Sequence, residues 1–132
     1  MSPLYWLALT ATMTALLWIP YVLDRFFTVG IWRTMDNPTP EAEGRQSPWA
    51  MRARRAHANA VENLVVFAAL LLVAQHMGLA EHAWVKSAAP LYFFARLVHY
   101  VVFAAGVPGL RTAAFIAGFA AQLAIAIVVL AR

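Results

Sequence analysis

The chain has 132 residues, of which 63% are hydrophobic and 12% charged, with a formal net charge of +4 and no cysteine. At a mean hydropathy of +0.67 it is too apolar and too poor in charge for a soluble domain, so the bilayer is its natural solvent. The lack of cysteine excludes disulfides, thiolate metal sites and a cysteine nucleophile. The basic residues sit at the ends of apolar segments and inside them rather than on a soluble face, which argues for orientation in a membrane and against nucleic acid as a partner.

Four apolar segments can be drawn, about residues 3–27, 48–77, 83–105 and 108–130. Each is long enough, at about 1.5 Å per residue, to cross a hydrocarbon core of about 30 Å. The expectation is an all-α integral membrane protein, residues 1–132 forming one four-helix domain. The first segment opens on Ser2-Pro3, a cap followed by proline at the first helical position. It has no Lys or Arg ahead of it and exceeds the 7–15 residues of a signal core, so it reads as a retained helix that Pro20 can kink. Residues 30–47 contain Asp36-Asn37-Pro38-Thr39-Pro40, Glu41 and Glu43, and read as a solvated loop. The second segment opens on Ser47-Pro48 beside Trp49, an interfacial anchor. Pro90 in the third segment either kinks the helix or marks a late start; a start there leaves about 15 residues, too few for a span, so the kink is preferred. The fourth begins at Val107-Pro108 and is apolar beyond Arg111 except for Gln122.

Arg25, Arg33, Arg45, Arg52, Arg54 and Arg55 flank the first connection and Arg111 the third, against Lys86 and Arg132 on the other side. The positive-inside rule then places the first and third connections in the cytoplasm and both termini outside it.

The second segment carries the densest row of polar side chains. At about 100° per residue, Arg52, Arg55, Asn59 and Glu62 share an arc of about 80°. Arg54 and His57 point elsewhere and read as an orientation charge and a solvated histidine. Glu62 lies about 20 Å and Arg96 about 14 Å from the cytoplasmic ends of their helices. An unpaired charge in hydrocarbon costs at least about 2.5–3.5 kcal/mol, so these two are expected to face each other or a wet cavity. On the third helix Tyr92, Arg96, His99 and Phe103 share a face, and Arg111 enters from the fourth. The cluster of Arg52, Arg55, Asn59, Glu62, Arg96, His99 and Arg111 is rich in guanidinium and suits an anionic ligand gripped at two points, with Glu62 free to take an ammonium. Gln122 reads as a helix-to-helix hydrogen bond and the five tryptophans as packing and belt residues. No His, Asp or Glu spacing resembles a metal site, and no phosphate-binding glycine loop is present.

Arg52-x-x-Arg55-Ala-His57-x-Asn59-x-x-Glu62-Asn63, then Phe94-Ala-Arg96-x-x-His99-Tyr100, then Pro108-x-Leu-Arg111-Thr112 resemble the MAPEG family, the membrane-associated proteins in eicosanoid and glutathione metabolism, and most of all its short bacterial members. The resemblance implies a homotrimer of up-down four-helix bundles in the bacterial inner membrane. It also implies glutathione as co-substrate between subunits, held by Arg52, Arg55, Asn59, Glu62, Arg96 and His99, with Arg111 activating the thiol. The chain departs from the pattern at Phe103, where relatives usually carry a tyrosine. The leading functional expectation is a glutathione-dependent transferase or peroxidase acting on a hydrophobic small molecule arriving from the lipid. Its rival is a non-catalytic ligand-binding or transport protein using the same polar cluster, and a purely structural bundle is third.

Overall fold

The computed structural model describes all residues, Met1–Arg132, and is helical throughout, without strands. The first span, Pro3–Thr28, is two helices, α1 (Pro3–Leu16) and α2 (Trp18–Thr28). The Ser2 hydroxyl caps α1 by accepting from Tyr5 N–H at 3.2 Å. The break falls where Pro20 removes the N–H that the Leu16 carbonyl, four residues back, would have taken. The freed turn tightens, Leu17 N–H donating to Thr14 O at 3.3 Å.

The stretch expected to be loop is partly helical. After Gly30, at φ +98°, come α3 (Ile31–Met35) and α4 (Pro40–Arg45). The signal for α4 is in the sequence: Thr39 caps Ala42 N–H at 3.2 Å, Pro40 stands at the first helical position, and Glu41 and Glu43 fill the first turn, each favoured at a helix start.

Three long helices follow: α5 (Pro48–His76), α6 (Ala83–Ala105) and α7 (Pro108–Leu130). The first of them ends one residue earlier than the sequence suggested, and α6 runs through Pro90 without a break. Both α5 and α6 stop at a glycine in the left-handed region, Gly78 at φ +72° and Gly106 at φ +80°. At each stop two N–H groups fold back onto the last carbonyls, Leu79 onto Ala74 and Val107 onto Val102, both at 2.9 Å. This ending requires a residue without a Cβ penalty. The linkers that follow are too short for anything but antiparallel neighbours.

Four helical stretches are therefore long and apolar enough to cross a membrane. α6 packs chiefly on α7 and α5, with α1 against α5 and α6, and α2 against α5. Thr10 and Thr14, both buried, return their hydroxyls to the carbonyls of Trp6 and Thr10, at 2.7 Å and 2.8 Å. Small residues with internally satisfied hydroxyls suit a close helix contact in lipid. Phe94, Phe119, Leu123 and Leu130 remain exposed on the outside.

Candidate functional site

The polar groups converge where α5, α6 and α7 meet, toward the α6–α7 turn. Arg96 is 2% exposed, and its Nη2 donates to Asn59 Oδ1 across the α5–α6 interface. Asn59 in turn accepts Asn63 Nδ2 on its backbone carbonyl at 2.9 Å, so the two amides of α5 form one strip. The Arg96 aliphatic stem lies on Gly118 of α7, where an added Cβ would stand 3.3 Å from Arg96 Cδ. A side chain there crowds the arginine. The guanidinium carbon sits 5.9 Å from the centre of the Phe115 ring, near the outer limit of a cation–π contact.

His99, at 3% exposed, continues this face. Its ring meets Phe103 edge-on at 5.5 Å and Phe115 at 6.2 Å, and its Nδ1 has no hydrogen-bond partner. Arg111 is half-buried, with its guanidinium carbon 4.7 Å above the Phe103 ring. Phe103 therefore serves as an apolar platform shared by a cation and an imidazole.

Arg52 joins from the other side of the turn. Its Nε donates to the Ala104 carbonyl at 2.9 Å, one of the carbonyls that the end of α6 leaves without a helical donor, and its charge complements the negative end of that helix. Gly106 gives the guanidinium room, since a Cβ there would come within 3.3 Å of Arg52 Cζ. One glycine thus serves both the turn and the arginine.

Two members of the predicted cluster stand apart. Arg55 is exposed and borders a shallow cleft of about 240 Å³ with Met51, Arg54 and Ala58. Glu62 is also exposed, and the ion pair expected between Glu62 and Arg96 is not formed: the chain's two ion pairs are Arg54–Glu43 and Lys86–Glu81. The physical reason is angular. Three helical steps put Glu62 about 60° around α5 from Asn59, so the neutral amide meets Arg96 and the carboxylate faces away from the bundle.

The two α5 side chains that lie off the arc differ in outcome. Arg54 pairs with Glu43 at 3.5 Å between exposed groups, a contact of little energetic weight. His57 is half-buried rather than solvated, its Nδ1 lying 2.8 Å from the Tyr21 hydroxyl. Gln122 makes the expected helix-to-helix bond, Nε2 donating to the Asn63 carbonyl at 3.0 Å. Tyr100, quoted from sequence only within the resemblance motif and given no role there, donates its hydroxyl to the Leu17 carbonyl at 2.9 Å and so ties α6 to the break in the first span. Pro20 was the available signal, because a proline break leaves carbonyls in need of donors.

Chemically, the arrangement is a set of fixed cations, Arg52, Arg96 and Arg111, without a carboxylate among them. No curated protein matches the chain, but the family model described as MAPEG family matches residues 2–131. With four apolar spans arranged as found here, the chain is an integral membrane protein and belongs to the MAPEG family.

Proposed function

We propose that the protein is a glutathione-dependent transferase or peroxidase of the membrane, working as a homotrimer with its arginine-rich end in the cytoplasm. The observation that carries this reading is the convergence of Arg96, His99 and Arg111 on one platform of α6 and α7, with no acid to neutralise the guanidinium groups. Forked guanidinium donors suit the carboxylates of the tripeptide. The exposed Glu62 suits its ammonium group. A cation beside a thiol favours the thiolate, which is the nucleophile. In the transferase reaction the sulfur of the thiolate forms a bond to an electrophilic carbon and the electron pair of the broken bond leaves with the departing group. With a hydroperoxide, the sulfur takes the distal oxygen while the alkoxide leaves and is protonated; a second glutathione thiol then displaces water, giving the disulfide.

The trimer has its own support. Arg55 and Glu62 are exposed on α5 within a candidate span, and charges at that depth are costly unless protein or a wet cavity covers them. A neighbouring subunit would supply the cover, and would close a site that one chain leaves open.

The test is ultraviolet difference absorption of the purified protein on adding glutathione. A thiolate band is expected in the wild type and is expected to vanish in Arg111→Ala, while detergent-phase mass stays that of a trimer. No band, or a band that survives in Arg111→Ala, overturns the mechanism. One observation favours a second reading: the Tyr92 hydroxyl, Arg96 Nε and His99 Nδ1 are buried without partners along one face of α6, as in a path for a ligand or proton. Flux in proteoliposomes that depends on Glu62 and His99 would favour that reading over the enzyme.

A further inference from the structure

The side chains of α5 that lie off the arginine arc pack toward α2 and α4, and one of them, Arg54, borders a second polar cleft. Arg54 and His57, three residues apart and therefore neighbours on the helix surface, reach toward α4 and α2: Arg54 to Glu43 and His57 to the Tyr21 hydroxyl. Between these elements and α3 opens a cleft of about 370 Å³, bordered by Tyr21, Arg25, Thr34, Asp36, Gln46 and Arg54. Its volume lies in the range of small-molecule sites.

The hydrogen-bond inventory of this cleft is incomplete in a specific way. Gln46 is 7% exposed; its Nε2 donates to the Tyr21 carbonyl at 2.8 Å, while its Oε1, an acceptor, has no donor. Buried acceptors are rarely left so. Asp36 receives Asn37 N–H on Oδ1 at 2.7 Å, and no ion pair engages its carboxylate. The Thr34 hydroxyl is already spent on the Gly30 carbonyl at 2.8 Å. On the donor side Arg25 forms no ion pair, and Arg54 has only the loose contact with Glu43. The cleft thus offers two guanidinium groups for an anion and, beside them, a carboxylate and an amide oxygen for a group rich in N–H.

Its position narrows the ligand. Arg25 lies in the last turn of α2, at the end of a candidate span. Phe27 and Trp32 flank it, 88% and 82% exposed, as residues that settle at the headgroup level do. We propose that this cleft binds a phosphate ester bearing a primary ammonium, presented by a membrane lipid with an ethanolamine headgroup. Arg25 and Arg54 hold the phosphate; the Asp36 carboxylate and Gln46 Oε1 accept from the ammonium. The site is separate from the arginine cluster of α6 and α7 and does not depend on how that cluster is used.

The experiment uses the full chain in nanodiscs of choline lipid containing equal fractions of ethanolamine and glycerol lipids, with native mass spectrometry after release into detergent. One ethanolamine lipid per chain is expected to be retained about tenfold over choline lipid, whose headgroup has the same phosphate but no N–H to donate, the size of one charge-assisted hydrogen bond. Asp36→Asn should abolish the preference, and Arg25→Gln should weaken retention of ethanolamine and choline lipid alike. A parallel arm adds soluble phosphoethanolamine to nanodiscs of choline lipid alone: a raised thermal midpoint assigns the same chemistry to a free ester, whereas no response alongside lipid retention assigns it to the headgroup. Equal retention of choline and ethanolamine lipids without a response to the soluble ester overturns the proposal. So does retention of the glycerol lipid as strong as that of the ethanolamine lipid, a preference that survives Asp36→Asn, or total retention that Arg25→Gln leaves unchanged. The comparison of headgroups on the unmodified chain needs no variant to fold.

Discussion

Toward the α5–α6 turn, α5, α6 and α7 meet through Phe67, Leu71, Val85, Ile125 and Val128, with Ala74, Ala88, Ala89 and Ala121 between them. Toward the α6–α7 turn the same helices meet through Arg52, Asn59, Arg96 and His99, backed by the buried Ala53, Ala56 and Ala60. In lipid there is little hydrophobic gain from bringing two apolar helices together, so association rests on close packing and on hydrogen bonds. The first end uses packing: the Tyr92 ring lies flat on Phe67, centroids 3.8 Å apart and 7° from parallel. The second uses directed bonds, and two of its buried nitrogens, Arg96 Nε and His99 Nδ1, remain unpaired. Fixed shape at one end frees the other to hold cations in an arrangement that stability alone would not select.

That division can be broken most directly at Phe67. Phe67→Ala removes one face of the stack and leaves a cavity among fully buried neighbours, a loss of about 3–5 kcal/mol. Unfolding in mixed detergent measures it, and Phe67→Leu, which keeps most of the volume, should cost less than half as much. Because the damage lies at the packed end, the affinity for an anionic ligand should change little in the folded fraction. A large loss of stability coupled to a large loss of affinity would show that the two ends are one unit.

A smaller effect is expected at the polar end. Asn59→Ala deprives a buried guanidinium of its acceptor and should cost about 1.5–3 kcal/mol, the value of a hydrogen bond to a charged group. Asn59→Asp sharpens the result. It supplies a counter-charge to Arg96 and should recover the stability lost in Asn59→Ala while weakening anion binding, since the cluster then contains the acid it now lacks. If both variants bind anions as the wild type does, Arg96 is held for structure only.

Much of this was legible from the chain. Length and hydropathy give the four spans, and Ser2-Pro3, Ser47-Pro48, Gly78 and Gly106 mark helix ends by chemistry that is local in sequence. The polar arc on α5 follows from periodicity, and so does the shared face of Arg96 and His99. What periodicity does not carry is the rotation of one helix against its neighbour. A shift of about 60° decides whether Asn59 or Glu62 meets Arg96, and a charge-pairing argument selects the carboxylate where the structure has the amide. The same gap hides the Tyr21–His57 contact, because partners 36 positions apart leave no local pattern. The helix α4 was legible and passed over, its cap-and-proline opening outweighed by the turn residues around it.

The smallest effect is expected where the two ends meet. Gln122 is buried and reaches from α7 to the Asn63 carbonyl at 3.0 Å, but that carbonyl also belongs to the α5 helical ladder, so removing the amide leaves no acceptor orphaned on α5. Gln122→Met keeps the volume and loses one interhelical bond. Such bonds in membrane bundles are worth about 0.6 kcal/mol on average, so the unfolding midpoint should move only slightly and anion affinity should hold. A cost near that of Asn59→Ala would mean that the polar network extends past Gln122 into the packed half, and that the directed bonds, not the stacked rings, set the spacing of the three helices along their whole length.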